Sequence, residues 1–210
     1  MRKVIAIIVL AIGCLVNAYC NGQGPPVGTG AWNAIPQLRT IEGIGTGFVV
    51  AATDSKVEIW TASHVAGKAG NPVTVIWQDG SETQGTVARS RLGPAGTTTS
   101  DEAKIIATKP ESLEVIPFAV GGVLGDGFYG SFVGYGNKSY LRETEALPTK
   151  DQGISRRVQL MPAAIPGDSG GPVFDTEGNV VAVVVQVTLN RRRERLTTLV
   201  IPINRWIDWK

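Results

Sequence analysis

One histidine, His64, has to serve a chain of 210 residues. No site built from several imidazoles is available, so any imidazole chemistry must happen where Thr61-Ala62-Ser63-His64-Val65 folds. Cysteine is almost as scarce, with Cys14 and Cys20 the only two. The longest apolar run, residues 4–16, follows Arg2 and Lys3 and is too short for a comfortable membrane span. Small residues at Val16 and Ala18 complete the pattern of a secretory signal over residues 1–18, cleaved before Tyr19. A secreted or periplasmic protein is expected. A second processing reading uses Ala11-Ile12-Gly13-Cys14, with a lipid anchor on Cys14. It ranks lower because Ala11 stands where a larger aliphatic residue is usual. Cleavage after Ala18 leaves Cys20 alone, so no intrachain disulfide can staple the mature chain and its core must hold it.

An excess of charge of one sign is missing too. Of 20 Lys and Arg, Arg2 and Lys3 leave with the signal, so 18 basic residues face 18 acidic ones. That balance gives no reason to expect a nucleic-acid partner. The run Arg191-Arg192-Arg193-Glu194-Arg195 reads as a solvated hairpin end. Asn137-Lys138-Ser139 matches a glycosylation sequon, which matters only in a eukaryotic secretory pathway.

What the chain has is turns. With 26 Gly and 12 Pro it suits many short strands rather than helices. After a flexible lead-in over residues 19–30, strand-like runs occur at 47–52, 56–62, 73–78, 85–92 and 103–107. A second series follows at 128–135, 156–161, 171–174, 180–187 and 196–203. Asp175-Thr176-Glu177-Gly178-Asn179 reads as a hairpin connection. Only residues 203–210 resemble a short helix, with Ile203, Trp206 and Ile207 on one face. Without βαβ alternation, the pattern predicts an all-β sandwich or pair of barrels, with residues 110–125 crossing between two halves.

The chemistry narrows this. Gly167-Asp168-Ser169-Gly170-Gly171-Pro172 presents a serine in a glycine-rich turn, and a serine hydroxyl needs a base to become a nucleophile. His64 is the only imidazole to supply it. The segment also fits G-x-S-x-G, but an α/β-hydrolase needs its histidine after the serine, and none follows Ser169. An acid, histidine, serine order has Glu42, Asp54 or Glu58 as candidates, but the serine segment and the lack of alternating helices argue against it. The remaining order is histidine, acid, serine. In Ser100-Asp101-Glu102-Ala103-Lys104-Ile105 a strand begins immediately after Asp101, which suits a carboxylate orienting a ring; Glu102 and Asp79 are the alternatives.

These three segments resemble the signatures of chymotrypsin/trypsin-like serine endopeptidases. Gly45-Thr46-Gly47-Phe48-Val49 is similar to the strand preceding the histidine, and Leu199-Val200-Ile201-Pro202-Ile203-Asn204 to the closing strand of bacterial Deg-type members. The resemblance covers residues 43–210 and implies two perpendicular antiparallel β-barrels with a short C-terminal helix. One peptidase domain would occupy residues 31–210, with the barrels at about 31–110 and 121–203 and the helix at 203–210. It also implies His64, Asp101 and Ser169 as catalytic residues, and the amides of Gly167 and Ser169 as the oxyanion hole. Substrates would be proteins or peptides, and a monomer without cofactor or metal is expected. A catalytically silent protein that binds a partner through the old cleft is the competing reading, although no triad member is missing.

Two departures matter. No Ile-Val-Gly-Gly activation terminus is present, so Asp168 needs another partner: an internal cation, a hydroxyl or a backbone N–H. Alignment on Ser169 puts Ala163 at the floor of the specificity pocket and Val185, Gln186 and Val187 along its wall. An uncharged floor and a bulky wall predict cleavage after small aliphatic residues. With no PDZ-like region after the last barrel, Deg-type regulation is not expected.

Overall fold

A computed structural model describes residues 30–93, 100–122, 124, 128–136, 138, 141–148, 158–189, 192 and 194–204. The signal segment, Cys14, Cys20 and most of the expected C-terminal helix lie outside the described residues. After a 3-10 turn at Gly30–Ala34 come β1 (Gln37–Thr40), β2 (Gly43–Thr46), β3 (Phe48–Ala52), β4 (Lys56–Thr61) and helix α1 (Ser63–Ala66). The first half continues with β5 (Pro72–Ile76), β6 (Glu82–Leu92) and β7 (Asp101–Thr108). The second half holds β8 (Gly130–Gly134), β9 (Arg142–Pro148), β10 (Val158–Met161), β11 (Pro172–Asp175), β12 (Val180–Leu189) and β13 (Arg195–Pro202).

The protein is mostly β, as expected, but its two halves close differently. The first is a seven-stranded sheet in the order β2-β1-β5-β6-β7-β4-β3, and the second is a closed six-stranded barrel. Alternation explains the first sheet. Val57 and Ile59 on β4, and Ala103, Ile105 and Ala107 on β7, turn one face into a core completed by Leu38, Val75 and Val87. Each fully buried Val, Leu or Ile side chain of this kind contributes about 1.5–3 kcal/mol.

Phe132, Leu160, Val173, Val184 and Val200 fill a second cluster inside the barrel. The larger cluster runs across the junction, because Tyr135, Phe174, Val183 and Ile201 pack with the first sheet's residues. The Tyr135 phenol ties the halves, donating to the Ile35 carbonyl at 3.0 Å. Burial pushes that phenol well above its usual range.

Register places the functional ends. β4 and β7 run antiparallel with Thr61 opposite Ala103. Extending that pairing by two residues brings Asp101 opposite Ser63, beside His64. The expected hairpin is present, with the Asp175 N–H donating to the Asn179 carbonyl at 3.0 Å. β1, β2 and β9 had no counterpart among the expected strand-like runs, although the resemblance had marked Gly45-Thr46 at the end of β2. β1 is four residues long, and Arg142-Glu143-Thr144-Glu145 is polar enough to read as a loop.

Candidate active site

His64 is the second residue of α1 and Asp101 leads β7. The His64 ring Nδ1 lies 2.8 Å from Asp101 Oδ2, and the His64 backbone N–H donates to Oδ1 at 2.9 Å. One carboxylate therefore fixes both the backbone and the ring of the histidine. An ionised carboxylate only accepts, so Nδ1 carries the proton and Nε2 keeps its lone pair for a reacting group. Asp101 is buried, with 6% of its side chain exposed against 39% for His64. The alternative acids sit elsewhere. Asp79 caps an exposed turn, accepting from Ser81 Oγ and Ser112 Oγ at 2.6 Å, and these bonds lower its carboxyl. Glu102 is buried at the next position of β7, where alternation turns it to the opposite face.

The serine segment meets the histidine segment across Gly45. A Cβ there would stand 2.6 Å from the Val65 side chain and 2.9 Å from the Ser169 carbonyl, so only glycine allows this approach. The Thr46 N–H donates to that same Ser169 carbonyl at 2.8 Å. Ser169 is half-buried, and among the described residues no hydrogen bond joins its Oγ to His64. Such contacts are often long in unliganded enzymes and tighten when substrate arrives.

The loop's amides divide into two sets. The N–H groups of Asp168, Gly170 and Gly171 donate to the carbonyls of Ile165 at 3.0 Å, Val184 at 2.7 Å and Asp168 at 2.9 Å. Among the described residues, the amides of Gly167 and Ser169 meet no acceptor. Gly167 has φ 97°, a conformation that favours glycine. Two unpaired amides flanking a serine can receive an anionic oxygen.

Asp168 has an internal cation. Arg142 on β9 pairs with its Oδ2, which also accepts the Ile165 N–H at 2.8 Å. Arg142 lies over the Phe132 ring at 5.9 Å and donates to Thr144 Oγ1 at 3.0 Å. Asp168 has no exposed surface. Burial pushes its carboxyl up, while the Ile165 N–H and Arg142 pull it partly back. The missing activation terminus thus leaves no bare buried charge. Nothing in the sequence pointed to Arg142, because a cation in a polar strand reads as solvated.

Two of the residues expected around the specificity pocket, Ala163 and Val187, both lie beside Thr198 of β13, to which Val187 pairs across the ladder. Ala163 is half-buried in a segment pinned to β13, where Thr198 Oγ1 donates to the Pro162 carbonyl at 2.8 Å and accepts the Ala164 N–H at 2.6 Å. A register shift between Val184 and Gln186 makes Val185 the extra residue of a bulge. Val185 is buried in the larger core, Gln186 is exposed, and Val187 packs half-buried against the barrel cluster. A cavity of about 370 Å³, which sequence reasoning did not find, opens beside His64 between Glu42, Lys68, Ser90 and Leu92. Among the described residues, no cluster fits a metal ion and no helix is long and apolar enough to cross a membrane.

Solved structures share this architecture. The Rv3671c protease of M. tuberculosis H37Rv, in an inactive serine-to-alanine form, matches with a TM-score of 0.64 and 22% identity over 91% of this chain and 90% of that one. The HtrA-type protease AlgW, solved with a tripeptide, matches with a TM-score of 0.63 and 19% identity over 85% of this chain, which spans 59% of AlgW. A serine protease of human pathogenic astrovirus matches with a TM-score of 0.59 and 24% identity, over 81% of this chain and 90% of that one. No curated protein matches. Residues 45–183, more than half of the chain, match the family described as trypsin-like peptidase domain. The chain belongs to the trypsin-like peptidases and is a serine endopeptidase by family.

Proposed function

We propose that the protein is an exported endopeptidase that cleaves peptide bonds through Ser169, His64 and Asp101. Ser169 Oγ attacks the scissile carbonyl while His64 Nε2 takes its proton, and the new oxyanion is held by the amides of Gly167 and Ser169. When the intermediate collapses, the imidazolium returns that proton to the leaving amine, and the acyl group stays on Ser169. A water molecule then repeats the sequence and frees the acid. Asp101 holds the ring and stabilises its cation.

The observation that carries this reading is the two-point grip of Asp101 on His64, next to a loop with two unpaired amides. A fluorophosphonate probe tests it: wild type should be labelled and Ser169→Ala should not. Labelling of neither would leave a silent binding protein as the better account, and equal labelling of both would place the reactive nucleophile on a residue other than Ser169.

Three finer points belong to the same reading. The Arg142–Asp168 pair supports activity without a processing cut, so protein beginning at Tyr19 should hydrolyse peptides as purified. The uncharged Ala163 and intruding Val187 favour small aliphatic residues before the scissile bond, and a peptide library dominated by Lys or Arg would contradict this. Export rests on residues 1–18, and amino-terminal sequencing of secreted material should begin at Tyr19 rather than at a lipidated Cys14.

A further inference from the structure

Thr46, at the end of β2, has no exposed surface and spends every polar atom on the active site or its supports. Its N–H donates to the Ser169 carbonyl at 2.8 Å. Its hydroxyl donates to the Gly167 carbonyl at 2.7 Å and accepts the Tyr135 N–H at 3.2 Å. Its carbonyl accepts the Thr61 hydroxyl at 2.7 Å, and Thr61 lies three residues before His64. One residue of the first sheet thus holds the peptides on both sides of Asp168-Ser169, and the end of the strand that leads into the histidine's helix.

We propose that Thr46 is a positioning residue, whose hydroxyl keeps the Gly167 amide aimed at the developing oxyanion. This rests on the endopeptidase reading above. The Gly167 N–H lies in the Pro166–Gly167 peptide, which meets the next peptide at the Gly167 Cα, so its aim depends on how that next peptide is held. The Gly167–Asp168 peptide is gripped at its carbonyl by Thr46 Oγ1 and at its N–H by the Ile165 carbonyl. Gly167, at φ 97°, sits where a glycine backbone turns with little steric resistance, so the sequence itself does not hold the loop. The hydroxyl has one proton. Because Tyr135 N–H occupies a lone pair, that proton is free for the Gly167 carbonyl. Without the hydroxyl, the carbonyl becomes a buried acceptor with no donor. The cheapest relief is rotation about Gly167, which swings its N–H away from the oxyanion. Ser169 Oγ and His64 are untouched by this change, so the loss falls on the transition state and not on substrate binding.

The test compares Thr46→Val, which removes the hydroxyl at nearly constant volume, with Thr46→Ser, which keeps it. Thr46→Val should lose about tenfold to a hundredfold in kcat with KM little changed, the scale expected when a catalytic group is slightly misplaced. Its affinity for a peptide boronic acid, whose tetrahedral adduct uses the oxyanion hole, should fall in parallel, while affinity for a cleaved product peptide stays the same. Thr46→Ser should restore both. Wild-type kcat and boronate affinity in Thr46→Val would overturn the proposal. So would a loss in Thr46→Ser as large as in Thr46→Val, and a kcat deficit in Thr46→Ser beyond about tenfold would do so even if Thr46→Val did not fold. Wild-type protein as inert as Ser169→Ala would instead remove the endopeptidase reading, and this proposal with it.

Discussion

The first sheet and the closed barrel each deliver one half of the proposed catalytic apparatus, and they hold it by different means. His64 and Asp101 are set by strand register: β4 and β7 end side by side, and two hydrogen bonds to one carboxylate finish the task. The serine loop has no such ladder. It is suspended between Arg142 of the barrel, Thr46 of the first sheet and the β12 carbonyl of Val184, all buried polar ties. Register is robust because a whole strand must slip to change it. A suspended loop depends on single side chains, because each unpaired buried group costs about 1–3 kcal/mol. The comparison predicts that substitutions on the histidine side lose chemistry while the fold survives, whereas those under the serine loop lose both.

The largest effects should fall on the proposed reacting groups. Ser169→Ala or His64→Ala should each cost about 10⁶-fold in kcat, and combining them should add little. Asp101→Asn should cost about 10⁴-fold with its melting temperature close to wild type, because it alters the ring's tautomer rather than the strand. A large fall in melting temperature for Asp101→Asn would break the comparison from the first side. Next comes Arg142→Met, which strands a carboxylate that has no exposed surface and should destabilise the fold by about 3–5 kcal/mol in urea unfolding, with loss of activity. The exposed pair Arg39–Glu82, at 3.4 Å and about half exposed on both sides, should yield under about 1 kcal/mol when broken.

Much of this was legible in the sequence for physical reasons. Gly167-Asp168-Ser169-Gly170-Gly171 announces itself because a loop that aims amides at one point needs glycine, and the single imidazole leaves no choice of base. Asp101 could be read less directly, from the alternation that starts at Ala103. Arg142 and Thr46 could not be read at all. Their burial follows from barrel closure and from the meeting of β2 with the serine loop, contacts between residues 26 and 121 positions apart. Val185, Gln186 and Val187 were read along one pocket wall, and the bulge at Val185 sends these neighbouring side chains to different surroundings. The expected leader and most of the expected C-terminal helix lie outside the described residues.

Smaller effects sharpen the contrast. Val187→Gly should widen the proposed pocket, so that kcat/KM for peptides with a large residue before the scissile bond rises while that for alanine falls. No change in profile would take Val187 out of the pocket wall. The smallest effect concerns pH. Burial holds the Asp168 carboxyl above its ordinary value of 3.8, so the folded chain binds this proton more tightly than the unfolded chain. That contribution is fully present at lower pH and is lost as pH rises from 3.8 through the raised folded value. Urea unfolding across mildly acid pH should show this decline in wild type relative to Asp168→Asn. An opposite slope would mean that Arg142 outweighs burial.

A crystal structure of the fluorophosphonate adduct would probe the proposed proton relay most directly. The account predicts phosphorus bonded to Ser169 Oγ, His64 Nε2 within hydrogen-bond reach of an adduct oxygen, and the phosphonyl oxygen between the amides of Gly167 and Ser169. An adduct on a different serine, or one on Ser169 with His64 turned away and those amides pointing elsewhere, would contradict it.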